Sequence, residues 1–310
     1  EHRPSRALSI DGFNAPAKSF ISLPIKDLLL GAECLRLRNL QGGYKSVIPF
    51  MDQQGSNQLI VLILEECLQI ECLFNSTLTN KNNVDMFCDP SSRCNLKALI
   101  ICRCPMLTSL FTPSILQTLE LLEKLKVEEC SGLKHIIDGN VYYVSSQSHT
   151  SLTVPKLKTV YIYGCQRLEY IFSLCFAQGL MSLEELDILC CCKLKYVFST
   201  EKEHHLSMYQ HQSYYEANID INLLNFDELF LSSLPELVDI WPKYCCPRLP
   251  NLKRLSCYEC PSLSSSSMLK VIIDSDLQKD TTAMVIYSSK MMISLISHNS
   301  WSSILNVIIC

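Results

Sequence analysis

Apolar residues recur along this chain in one arrangement, L-x-x-L-x-[LIV]-x-x-C-x-x-L-x-x-[IVL]-[FIW], with polar residues filling most of the intervening positions. The clearest copies begin at Leu96, Leu122, Leu157 and Leu183. Copies at Leu59, Phe226 and Leu252 are nearly as regular, and a weaker one begins at Ala32. The spacings between successive starts are 27, 37, 26, 35, 26, 43 and 26 residues, so short and long alternate. Within each copy the L-x-L step puts alternate side chains on one face, the period-two signature of a strand. The later L-x-x-[IVL]-F step predicts a bend that turns apolar residues back toward the same interior.

One such turn cannot bury its own apolar face, so it needs neighbours above and below it. Stacking the turns pairs their strands into a parallel sheet on one side of a shared core. The short spacings fall in the range of leucine-rich repeats. The predicted architecture is therefore an α/β solenoid: a leucine-rich-repeat horseshoe of about eight irregular repeats, with a parallel β-sheet on the concave face. The connections agree. Thr112 and Pro113 read as helix cap and first helical residue of a short helix after Phe111, and SLCFAQGLMS after Phe172 reads as a similar convex turn. The long spacings hold polar stretches at 75–95, 139–155 and 199–222, expected to project from one flank as mobile insertions. Three segments follow: an N-terminal lead-in over 1–28, the repeat domain over 29–264, and an irregular tail over 265–310.

Cys67, Cys104, Cys130, Cys165, Cys191 and Cys260 share one template position and should form a column at the bend. A buried thiol there acts as a small apolar group whose weak S–H donor can satisfy exposed backbone. Zinc-like groupings also occur: Cys102 with Cys104, the run Cys190 to Cys192, Cys245 and Cys246 with Cys257 and Cys260, and His204, His205 and His211 beside Glu203. The template already commits Cys257 and Cys260 to packing, so no metal site or other cofactor is assigned. Phosphate-loop, dinucleotide, H-E-x-x-H and G-x-S-x-G motifs are missing, and no catalytic residue is assigned.

Function is then expected on the outward strand positions. In order, the central outward residues are Arg36, Ile63, Ile100, Lys126, Tyr161, Asp187, Phe230 and Ser256. The next outward row is Arg38, Glu65, Cys102, Glu128, Tyr163, Leu189, Ser232 and Tyr258. Packing does not demand aromatics there, so Tyr161, Tyr163, Phe230 and Tyr258 are candidate protein-binding residues. Arg36, Lys126, Glu128 and Asp187 supply charge on the same face. Glu184, Glu185, Asp187, Asp227 and Glu228 suggest an acidic patch, flanked by basic Lys97, Arg103, Lys253 and Arg254 that could steer a partner.

Composition narrows the class further. Twenty-seven Lys and Arg against 31 Asp and Glu leave a net charge of -4, with no basic field for nucleic acid or anionic lipid. With 48% apolar and 19% charged residues, the chain is not a disordered one. The N-terminus has no apolar signal core and no initiator Met, which suggests a fragment. The last twenty residues come closest to a membrane span, but Ser, His and Asn interrupt them, and no membrane contact is expected.

The repeat, with SLPIKDLLLGAECLRLRNLQGG at 22–43, LEKLKVEECSGLKHIID and LPNLKRLSCYECPSL, resembles the C-terminal leucine-rich-repeat region of plant intracellular nucleotide-binding disease-resistance proteins of the coiled-coil class. The likeness runs over roughly residues 20–263, and the L-x-G-x-I-P motif of extracellular plant repeats does not occur. The resemblance implies a cytoplasmic receptor module that senses pathogen effectors or their host targets and restrains a nucleotide-binding switch. The switch's phosphate loop is not in these 310 residues. The only N-x-[ST] sequon, at Asn75, agrees with an intracellular chain. Two alternatives are the substrate-recognition repeats of a ubiquitin-ligase adaptor and a degenerate truncated receptor. A zinc or thiol enzyme is the rival from another class.

Overall fold

The computed structural model describes residues 5–15, 28–29, 31–47, 58–73, 94–137, 153–199, 219–242, 245–264, 284–287 and 292–295. In chain order the strands are β1 (Ala7–Asp11), β2 (Cys34–Arg38), β3 (Val61–Glu65), β4 (Ala98–Cys102), β5 (Ser109–Phe111), β6 (Lys124–Glu128), β7 (His135–Ile137), β8 (Thr159–Tyr163) and β9 (Tyr170–Ser173). There follow β10 (Glu185–Leu189), β11 (Tyr196–Ser199), β12 (Ile219–Asn222), β13 (Glu228–Ser232), β14 (Cys245–Arg248), β15 (Arg254–Tyr258), β16 (Met284–Tyr287) and β17 (Met292–Leu295). Two four-residue helices, α1 (Pro113–Leu116) and α2 (Leu174–Ala177), complete the described elements.

One long sheet runs β1-β2-β3-β4-β6-β8-β10-β13-β15-β16-β17. Its first nine strands are five residues long and pair in parallel, residue for residue, with no register slip. Each of the eight expected copies contributes one of these strands. Alternation fixes the register: shifting a strand by one residue would turn its leucines to solvent. Leu125 and Val127, Val160 and Ile162, and Leu186 and Ile188 are accordingly all but fully buried. Removing one such side chain from water contributes about 1.5–3 kcal/mol, so each repeat is held by its neighbours on both sides.

The far side of the core is closed by short pairs: β5 with β7, β9 with β11, and β12 with β14. The last template position forms an aromatic spine there. Phe172 and Phe198 lie 5.8 Å apart between ring centroids, and Phe198 stacks on Trp241 at 4.1 Å. The sequence predicts an α/β solenoid, and the helical share is small: α1 and α2 are single turns and the other described returns are extended. Thr112 does cap α1, its hydroxyl accepting from the Ile115 N–H at 3.4 Å. Ser173 at the start of α2 makes no such side-chain bond.

The structure adds to the expectation at three places. The lead-in over 1–28 contains β1, which pairs with β2 and ends in Gly12 at φ +62°. The insertion over 199–222 ends in β12, so its last four residues belong to the convex side. Within the tail over 265–310, β16 extends the sheet in parallel and β17 turns back antiparallel to it. Apart from residues 94–95, 153–155 and 199, the remainder of the three insertions, including His204, His205 and His211, lies outside the described residues.

Candidate protein-contact face

Each of the first nine strands of the long sheet ends in the same turn. The residue after the strand is left-handed at Gly12, Asn39, Glu66, Arg103, Glu129, Gly164, Cys190, Ser233 and Glu259. Its N–H donates to the strand-end carbonyl of the next unit, as from Glu129 to Tyr163 at 2.8 Å and from Gly164 to Leu189 at 3.0 Å. In six of these turns the template cysteine follows and donates its S–H back to that strand's last carbonyl. Cys67 to Glu65, Cys130 to Glu128 and Cys191 to Leu189 are each 3.4 Å, and Cys260 to Tyr258 is 3.3 Å. The thiol thus closes the bend, as the column predicts. A hydrogen bond with Cys130, then one with Cys67, and burial push the Cys104 thiol far up, and Cys191 with burial does the same to Cys165. Among the described residues no three His, Cys, Asp or Glu side chains are grouped so as to hold a metal ion.

The turns hold the outward rows in line. All eight candidate residues lie on one face of the long sheet: Arg36 is exposed, and Lys126, Glu128, Tyr161, Tyr163, Asp187, Phe230 and Tyr258 are half-buried. The aromatic quartet splits in two. Phe230 and Tyr258 form a ring pair at 5.5 Å, diagonal across β13 and β15. Tyr161 and Tyr163 share β8, and β10 stands between the pairs, with Asp187 opposite Tyr161 on one side and Phe230 on the other. Lys126 lies over the Tyr161 ring at 5.3 Å, a cation–π contact, and also binds Glu128 at 3.0 Å. Arg36 binds Glu65 at 2.6 Å. The Cys102 thiol donates to Glu128 at 3.2 Å, and burial with that bond pushes it up to about 12, which favours the protonated thiol.

The acidic patch flanked by bases is resolved differently from a single steering field. Glu184 pairs with Lys158 at 3.2 Å, Asp227 with Lys253 at 3.0 Å, and Glu228 with Arg254. Lys97 likewise meets Glu123 at 3.8 Å. Aligning the copies already shows this ladder: the second template position reads Lys97, Glu123, Lys158, Glu184, Asp227, Lys253, opposite charges in the pairs joined by short spacings. Arg103 is also engaged, by Glu66 at 2.9 Å. What survives of the patch is Glu185 and Asp187, which have no cation at ion-pair distance among the described residues. Burial first, then Glu228 and Glu185, push the Asp187 carboxyl up to about 6, with Arg254 pulling it down.

No described helix is long and apolar enough to cross a membrane. The family model for leucine-rich repeats of RPS2-like plant disease resistance proteins matches residues 89–131 and 143–286, more than half of the chain. Among curated proteins no match was found.

Proposed function

The chain belongs to the RPS2-like leucine-rich-repeat family of plant disease resistance proteins, and from that premise we propose that it is a non-enzymatic protein-interaction module of an innate immune receptor in the cytoplasm. The module senses a pathogen effector, or a host protein that an effector alters, and contacts a nucleotide-binding switch domain. The observation that carries the reading is the outer sheet face. Half-buried aromatics stand in straight rows on a backbone locked at every turn, so contact is made at little ordering cost. Aromatic anchors at such positions concentrate binding energy. The ion pairs beside them hold their own side chains still rather than supply affinity.

The test is capture from plant cell extract by the full chain, with bound proteins identified by mass spectrometry. A variant with Tyr161, Tyr163, Phe230 and Tyr258 changed to Ala runs beside it, after circular dichroism shows both folded. Retention of a protein carrying a nucleotide-binding switch domain by the first, and its loss from the second, is the expected result. Equal retention by both would show that another surface makes the contact.

A further inference from the structure

The outward face carries seven charged side chains in its central and following rows among the described residues: Asp11, Arg36, Arg38, Glu65, Lys126, Glu128 and Asp187. Six of them answer one another, Arg36 with Glu65, Arg38 with Asp11 at 3.7 Å, and Lys126 with Glu128. Asp187 alone does not. It faces Tyr161 on β8 and Phe230 on β13, each one strand spacing away, roughly 5 Å. Its neighbours in the following row are Tyr163, Leu189 and Ser232, none of them charged. Glu185, the other carboxylate of the acidic patch with no cation at ion-pair distance among the described residues, stands on the same strand and the same face.

A half-buried carboxylate between two aromatic rings has a definite chemical complement. The ring faces attract a cation, and the carboxylate attracts one that can donate two parallel hydrogen bonds. Guanidinium meets both demands, being planar, weakly hydrated and able to stack, whereas an ammonium is a compact and strongly hydrated point charge. The same sheet already uses the first half of this chemistry, with Lys126 over the Tyr161 ring. Within the described residues no cation of the chain stands at ion-pair distance from Asp187. Arg254, two strands away in the adjoining outward row that also holds Glu185, is held by Glu228.

Resting on the reading of this face as the contact surface, we propose that Asp187 receives an arginine side chain of the protein partner, held between Tyr161 and Phe230 with the guanidinium on the carboxylate. The partner presents a basic, arginine-bearing segment to the middle of the sheet, and Glu185 adds long-range attraction for it.

The test uses the full chain and the peptides acetyl-Gly-Arg-Gly-amide, its lysine counterpart and its neutral citrulline counterpart, titrated by ligand-observed NMR. The expected result is saturable, weak binding of the arginine peptide, at least tenfold weaker binding of the other two, and a tenfold loss in Asp187→Asn. Phe230→Leu, which keeps an apolar side chain but no ring, should weaken the arginine peptide severalfold. Equal binding of the lysine or citrulline peptide, or an unchanged affinity in Asp187→Asn, overturns the proposal. Extract capture by Asp187→Asn separates the two readings. Partner retained with no arginine-peptide binding sinks the arginine site and leaves the contact surface. Peptide bound through Asp187 with no partner captured leaves the guanidinium site and removes the sensing role.

Discussion

Two glycines in corresponding stretches of neighbouring repeats should respond very differently to the same added methyl group. A Cβ on Gly132 would stand 2.1 Å from the Pro105 carbonyl oxygen and 3.3 Å from that of Leu107. Relaxed non-bonded contact needs about 3.5 Å, so the turn must open by about 1.4 Å against backbone rather than against a movable side chain. That turn is held by Lys134 donating to Thr108 at 3.0 Å and Leu133 donating to Cys130 at 3.1 Å. Overpacking against such a wall costs about 3 kcal/mol, the upper end of its usual range. On Gly164 the methyl meets nothing nearer than 3.4 Å, the Cγ of Glu129, so only the left-handed backbone at φ +67° is penalised. That penalty is about 1–2 kcal/mol. Urea unfolding of Gly132→Ala and Gly164→Ala, followed by far-ultraviolet circular dichroism, measures both at once. Hydrogen exchange at Leu107 and Leu133 shows whether the Gly132 loss is local to that turn. The reasoning fails if Gly164→Ala costs as much as Gly132→Ala or more, because close approach of neighbouring turns would then not be what excludes a side chain at residue 132.

The Asp187 carboxyl, raised to about 6 by burial and by Glu228 and Glu185, is ionised more easily in the unfolded chain than in the folded one. Its contribution to stability is therefore fully present below about pH 4 and lost as pH rises through 6. Discounted for partial exposure, Asp187→Asn should gain about 1 kcal/mol at pH 7.5 and nothing at pH 4. A gain of equal size at both pH values in urea melts would refute it. For the thiols, iodoacetamide on the folded chain should label exposed Cys192 and spare buried Cys104, Cys130, Cys165 and Cys191 until denaturant is added. Peptide mass spectrometry reads this, and early modification of the buried four would show that the bends open readily.

Much of the architecture could be read from the chain because one template carries three instructions at once. In LKTVYIYGCQRLEYIF the L-x-x-V-x-I spacing sets the strand, the cysteine sets the bend, and the final Ile-Phe sets the return. Inward and outward faces follow without further information, and so do the rows that hold Tyr161, Asp187 and Phe230. β1 was not legible, since ALSIDG keeps the strand and its left-handed exit but not the later cysteine or leucine steps. Nor is the split of the aromatic quartet evident from the four residues alone. Reading residues as a group hides the strand that separates them, although β10 lies between β8 and β13 in chain order as well as in the sheet. The conversion of the acidic patch into ion pairs is hidden for another reason: the partners sit across copies, not along any one of them. The recurring left-handed residue has no compositional signal, because Glu, Arg, Cys and Ser occupy it alongside Gly and Asn.

The unbroken register of the long sheet has a mechanical meaning. Its interstrand hydrogen bonds point along the stacking direction, and each strand is bound only to the one before and the one after. A pull on the two ends loads those bonds one strand at a time instead of shearing many together. Extension therefore proceeds as a staircase of small yields. Each step between closely spaced copies frees 26 or 27 residues, roughly 90 Å of chain when drawn out. Under tension the chain behaves as a ratcheted spring, giving way unit by unit from its ends.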